Sequence, residues 1–178
     1  MDNPWIRLPQ SPPFVLQEDR TAIDRFNARA TELHQIHLEL IPEPFLGRPD
    51  APIVLLNLNP GFDPDDTRFH QSDPYFIEQS RKNLLHSPIR YPFYLLNPKL
   101  SQSLGHQWWR RKLKAPIAIA GVDKVASRVL CIDQVRGYPY GDFASRFALT
   151  RGLGEHHQGQ REKDGACRSF FVNVPFFT

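Results

Sequence analysis

Cysteine is nearly absent. The chain of 178 residues holds only Cys131 and Cys167, which is no disulfide framework and fits a reducing cytoplasm. Long apolar runs are missing too: no stretch approaches the ~18 residues of a membrane span, and the opening MDNPWIRLPQ has no apolar leader core. Neither membrane insertion nor secretion through a cleaved leader is therefore expected. Charge of one sign is scarce, with 22 Lys+Arg against 19 Asp+Glu and a net charge of +3. A pI near 9.0 is compatible with nucleic acid without arguing for it. There is no internal repeat and no low-complexity tract.

What is plentiful is proline, 17 residues, and phenylalanine, 13. Aromatic content of 12% and hydrophobic content of 40% exclude a disordered or fibrous chain. A chain of this length buries roughly 70% of its unfolded surface, enough for one core, so residues 1–178 are expected to form a single domain. Oligomeric state leaves no mark in the sequence.

The prolines separate elements. Residues 1–15, with prolines from Pro4 to Pro13, predict an extended arm. Ala22, Ile23, Phe26 and Ala30 recur at helical spacing, with Glu18 and Asp19 complementing the dipole at the start of a helix over 16–30. Ile36, Leu38 and Leu40 alternate with polar residues, the pattern of a half-buried strand, and 42–49 reads as a loop. Pro52-Ile-Val-Leu-Leu56 is a short continuous apolar run, as in a strand covered on both faces. Arg128-Val-Leu-Cys-Ile-Asp133 is a second such run, with Cys131 expected as inert core, and helices are expected over 74–85 and 107–114, the latter stopped by Pro116. Strand, helices, strand predicts an α/β fold, a three-layer α/β/α sandwich with a mainly parallel central sheet. The tail 151–178 is atypical: a polar aperiodic stretch, then Phe170-Phe-Val-Asn-Val-Pro-Phe-Phe177, which reads as a buried edge strand or an exposed sticky patch.

In open α/β sheets ligands sit at the carboxyl ends of strands, so the loop after Leu56 is the first candidate site. Asn57, Asn59, Pro60, Gly61, Asp63, Asp65 and Asp66 gather there. Asn59 offers a fixed amide, and Gly61 permits close backbone approach to a ligand. Asn-Pro-Gly also serves simply to turn a chain, and the aspartates are good turn formers. Asp133 and Tyr140, at the end of the second strand and just beyond it, face the same sheet edge, although Asp133 could equally cap a turn. Trp108-Trp-Arg-Arg-Lys-Leu-Lys114 interleaves aromatic and basic residues, which makes Arg110, Arg111 and Lys114 candidate phosphate contacts, while Trp109 and Leu113 are spaced as core. Basic residues also offset the dipole of a helix's last turn, with no ligand needed. His34-x-x-His37 and His156-His157 lack an acidic third ligand and read as solvated surface histidines, and Ser87 near His86 has no acid to complete a triad.

Ile53-Val-Leu-Leu-Asn-Leu-Asn-Pro-Gly-Phe62 resembles the first motif of the uracil-DNA glycosylase superfamily. The nearest version is that of the mismatch-specific (thymine/uracil) branch, where a buried strand ends in Gly-hydrophobic-Asn-Pro-Gly. With Pro-Glu-Pro-Phe-Leu-Gly ahead of the strand, Asn-Pro-Trp at the start, Trp108-Trp109 and Tyr138-Pro-Tyr140, the chain is similar to uncharacterised bacterial members over roughly residues 4–145. The resemblance implies a uracil-DNA glycosylase-like fold and hydrolysis of the N-glycosidic bond of a damaged base in DNA, single- or double-stranded. By position, Asn59 would hold the attacking water as the catalytic residue. Pro60 and Gly61 would shape the base pocket with Asn57, Asp133 and Tyr140, and Phe62 would stack on the extruded base. A positioned water facing a cation-like sugar, and a snug pocket with an aromatic floor, are what such chemistry requires.

Departures from the family pattern are specific. Asn57 stands where the mismatch-specific branch has Gly, and no late His-Pro-Ser or Asn-Pro-Ser appears; Asn173-Val-Pro175 is the nearest match. The chain is accordingly expected to be shortened or altered after about residue 146. With no cysteine array for an iron–sulfur cluster, neither metal nor cofactor is expected. The alternative reading is a non-catalytic nucleic-acid- or partner-binding member of the same fold.

Overall fold

Apolar, β-branched residues set the first long strand, and its neighbours determine which of its faces is buried. In the computed structural model, which describes residues 3–57, 62–133 and 138 and the backbone of 170–172, Ile53–Asn57 (β2) is the centre of the sheet. It runs parallel to Val129–Asp133 (β3), Ile53 opposite Val129 and Asn57 opposite Asp133. Phe45–Leu46 (β1) pairs antiparallel with the far side of β3, and Phe170–Val172 (β4) pairs antiparallel with the far side of β2. The order is β1-β3-β2-β4, a four-stranded mixed sheet with one parallel ladder and two antiparallel ones. The fold is mixed α/β, with fewer parallel pairs among the described residues than the expected sheet. Residues 170–172 pair as an edge strand.

One row of the sheet, Leu46, Cys131 and Leu55, aligns across three strands and is almost fully buried. Against it pack Phe69, Phe76, Phe93, Tyr94, Leu96, Trp109, Leu113, Val125 and Ala126. Burying side chains of this size stabilises the fold by about 1.5–3 kcal/mol each. The strands are less covered than expected of runs buried on both faces: Ile53 and Ile132 are each 38% exposed.

Helices occupy the long connection from β2 to β3. Thr67–Ser72 (α2, taking α1 as Gln17–Asn27) is followed by Pro74–Leu84 (α3). Proline at the first position of α3 forgoes only an N–H that would lack a partner anyway, and Asp73 caps the helix by accepting from the Tyr75 and Phe76 amides, both at 2.9 Å. Leu104–Lys112 (α4), Lys114–Ala120 (α5) and Val122–Arg128 (α6) lead into β3. Pro116 does not stop a helix as expected. It sits in the first turn of α5, where proline is tolerated, and the break falls at Leu113.

Three local expectations are corrected. Ile36 makes only a single β-bridge and residues 38–40 turn the chain, so no full strand forms; the Asn27 side chain holds both the Ile36 amide (2.8 Å) and carbonyl (2.9 Å). The presumed loop 42–49 contains β1, whose outer edge is covered by Asn83: its amide donates to the Phe45 carbonyl (2.7 Å) and its oxygen accepts from the Gly47 amide (3.1 Å). The N-terminal arm begins as a 3-10 turn, Pro4–Arg7, and Arg81 anchors the next stretch by donating to the Pro9 and Gln10 carbonyls.

Candidate functional site

The site is built from the rim of the sheet where β2 and β3 end. Because the two strands are parallel and in register, Asn57 and Asp133 arrive side by side. Both are buried, and Asn57 Nδ2 donates to Asp133 Oδ1 at 2.7 Å. The bond ties the two strand ends together immediately before residues 58–61. Asp133 lies well above the usual carboxylate range because it is buried; the Asn57 bond opposes that shift and the Glu43 charge adds to it.

Glu43 comes to the same rim from the other side. The Asp133 amide donates to the Pro44 carbonyl at 3.0 Å, which extends the β1–β3 ladder by one step and sets Glu43 just past the end of β3. Tyr94, itself in the core, donates its hydroxyl to Glu43 Oε1. Burial pushes Glu43 up to about 7; the Tyr94 bond opposes this and the Asp66 charge reinforces it. Asp66 closes the 3-10 turn Pro64–Asp66, where burial and the neighbouring Asp63 raise it to about 6. Asp63 accepts from the Asp65 amide at 3.0 Å, so it is a turn former, as the sequence allowed.

Phe62 re-enters the described chain stacked on His37, ring centroids 3.4 Å apart and 13° from parallel. His37 also bonds Glu39 through Nδ1 at 2.9 Å. This corrects the expectation of a solvated His37: it is half-buried and covers one face of the half-buried Phe62. Asn59, Pro60, Gly61 and Tyr140 lie outside the described residues. Tyr138 is described, and is buried against α1, accepting from the Leu16 amide (3.1 Å) and donating to Asp19 (3.2 Å).

Arg110 and Arg111 are exposed in the last turn of α4, and Lys114 is exposed at the start of α5; none forms an ion pair among the described residues. Trp109 and Leu113 are core, as their spacing predicted. The opposite end of α4 reaches the rim, where its Leu104 backbone bonds Asp66. Arg110 lies six residues further along, about 9 Å at the helical rise. Among the described residues no group of three or more His, Cys, Asp and Glu side chains is placed to hold a metal ion.

A groove of about 340 Å³ lies at the other, amino end of β3, lined by Arg48, Asn83, His86, Ser87 and Ile89 among others. Two of its polar side chains are engaged: Arg48 is paired with Asp50, and Asn83 bonds the β1 backbone. The rim differs in gathering three carboxyls, Asp133 buried and Glu43 and Asp66 half-buried, each raised above its ordinary value.

Beside the rim, His70 on α2 accepts the Ile41 amide at 3.0 Å through Nδ1. Burial lowers it to about 3, so it is neutral in the fold and must charge on unfolding in acid. Its folded value lies below the ordinary 6.5, so its contribution is present above that pH and is lost as pH falls toward 3. His70→Gln is expected to flatten the fall in melting temperature between pH 6.5 and 4, measured by circular dichroism; an unchanged fall would contradict this assignment.

No family model, curated protein or solved structure matches the chain. No helix among the described residues is long and apolar enough to cross a membrane.

Proposed function

We propose that the chain is a DNA base-excision glycosylase that hydrolyses the N-glycosidic bond of a damaged base, uracil or similar, with water positioned by Asn59. The observation that carries the reading is the Asn57–Asp133 bond at 2.7 Å, which braces the ends of two parallel strands where the Asn-Pro-Gly segment begins. An amide side chain two residues beyond that brace could aim a water at a sugar carbon, and little basicity is needed when the carbon is already cation-like. Phe62 offers one ring face to an extruded base, with His37 backing the other. Asn57 and Asp133 then serve as a brace under the pocket floor, and Pro60, Gly61 and Tyr140 as pocket walls. Arg110, Arg111 and Lys114 would meet phosphates at the exposed end of α4 and the start of α5. The finer architecture belongs to the same proposal: a three-layer α/β/α sandwich whose full sheet is mainly parallel, in a cytoplasmic protein.

The test is a panel of labelled oligonucleotides, single- and double-stranded, each with one damaged base, treated with alkali after incubation. Cleavage at the damaged position is the expected result. Salt-dependent binding without cleavage of any panel member would contradict the glycosylase reading and favour a binding module of the same fold.

A further inference from the structure

We propose that Glu43 is the proton donor of this site, delivering a proton to the departing base as its bond to the sugar breaks; the inference rests on the glycosylase reading. Three observations converge on this one side chain. Its backbone is fixed over the strand ends, because the Asp133 amide holds the Pro44 carbonyl at 3.0 Å and prolines 42 and 44 flank it. Its carboxyl is anchored at one oxygen only: Tyr94 donates to Oε1, and Oε2 has no hydrogen-bond partner among the described residues. The carboxyl lies within electrostatic reach of Asp133, whose bond with Asn57 marks the rim from which the segment carrying Asn59 departs.

A carboxyl so placed can donate only if it keeps its proton near neutrality. Of the groups around it, the Asp66 charge favours that and the Tyr94 hydroxyl bond opposes it. Asp133 from β3 and Asp66 from the 3-10 turn are acidic, Tyr94 is a neutral phenol, and His70 on α2 is uncharged with Nδ1 occupied by the Ile41 amide. Burial, reinforced by the Asp66 charge and opposed by the Tyr94 bond, raises Glu43 to about 7. The sequence has no His or Asn in a late motif to face the base, and Glu43 would supply a donor from the opposite flank of the sheet.

The step balances. The sugar C1′–N bond breaks with its electron pair going to the base, and the Glu43 hydroxyl proton passes to a base nitrogen or oxygen. Water adds its oxygen to C1′, and the proton it loses restores the Glu43 carboxyl. The products are the free base and a sugar bearing a 1′-hydroxyl.

The experiment measures single-turnover excision from the panel between pH 5 and 9 for the full chain and for Glu43→Gln, Tyr94→Phe and Asn59→Ala, each checked for folding by thermal melt. The wild-type rate is expected to fall above about pH 7. Glu43→Gln keeps the shape but has no proton to give, so its rate should be roughly 10²–10⁴-fold lower, with no alkaline fall. Tyr94→Phe removes a donor that favours the charged carboxylate, so its alkaline fall should move to higher pH; a purely structural role for Tyr94 would lower the rate without moving the profile. Should Glu43→Gln fail to fold, the Tyr94→Phe profile decides. Wild-type rate and profile in Glu43→Gln, with Asn59→Ala inactive, would overturn this inference and leave the glycosylase reading standing. No excision by the wild type would overturn both.

Discussion

Asn57→Ala is expected to destabilise the protein by about 3 kcal/mol at neutral pH, because it removes a donor from a buried carboxyl. The lost bond, Nδ2 to Asp133 Oδ1 at 2.7 Å, lies between two residues that are 3% and 7% exposed, so water cannot readily replace the amide. For a chain of this size the loss corresponds to a melting temperature lower by roughly 6–12 °C. The sign of its pH dependence follows from Asp133. The folded carboxyl already titrates above its ordinary value, so its contribution is greatest in acid and declines as pH rises. Removing Asn57 raises Asp133 further, so the penalty should be small near pH 4 and grow toward pH 8. In an Asp133→Ala background the Asn57 change should cost much less, since no carboxyl is left stranded. Equal penalties in the two backgrounds would show that the bond does not brace the strand ends.

Gly47→Ala is expected to be at least as damaging, by about 3 kcal/mol or more, through backbone geometry instead of charge. Gly47 has φ of +113°, and an added Cβ would lie 2.3 Å from the Val129 carbonyl oxygen. That oxygen belongs to the first residue of β3, so neither side can yield without disturbing the β1–β3 ladder. The consequence reaches the rim, because the same ladder sets Pro44 against Asp133 and thereby fixes Glu43. A lower melting temperature should therefore come with a lower excision rate measured well below the melt. A stable variant with full activity would contradict the role given to β1.

The long elements were legible because their signals are local. β2 and β3 are apolar β-branched runs of strand length, and α3 announces itself with Asp73-Pro74. Trp109 and Leu113 fell on the core side by spacing alone. What escaped is non-local. β1 is two residues long inside a proline-rich stretch and exists because β3 and the Asn83 amide satisfy its two edges. The alternation at Ile36, Leu38 and Leu40 reflects packing of Ile36 and Leu38 against a cluster with Val15, Ile23 and Tyr138 more than strand pairing, which is limited to a single bridge at Ile36. Pro116 could be read as a stop only while the break at Leu113 was unseen.

At the site, Asn57 and Asp133 were each singled out as lining residues, but their mutual bond requires the parallel register, which no spacing reveals. Glu43 carries one local sign, an acid between two prolines in an otherwise apolar stretch, but its place at the rim depends on the β1–β3 pairing. His37 was assigned to solvent because nothing local shows that Phe62 returns to stack on it, 25 residues later in the chain.

The central proposal is that the braced strand exit carries Asn59, which aims a water at the sugar C1′. Its most direct test is the single-turnover excision rate of Asn59→Ala beside wild type on the panel base that is released fastest. The account predicts a rate at least about 10²-fold lower with an unchanged melting temperature and unchanged DNA affinity, since only the positioning of water is lost. A variant that excises the base at the wild-type rate would contradict it.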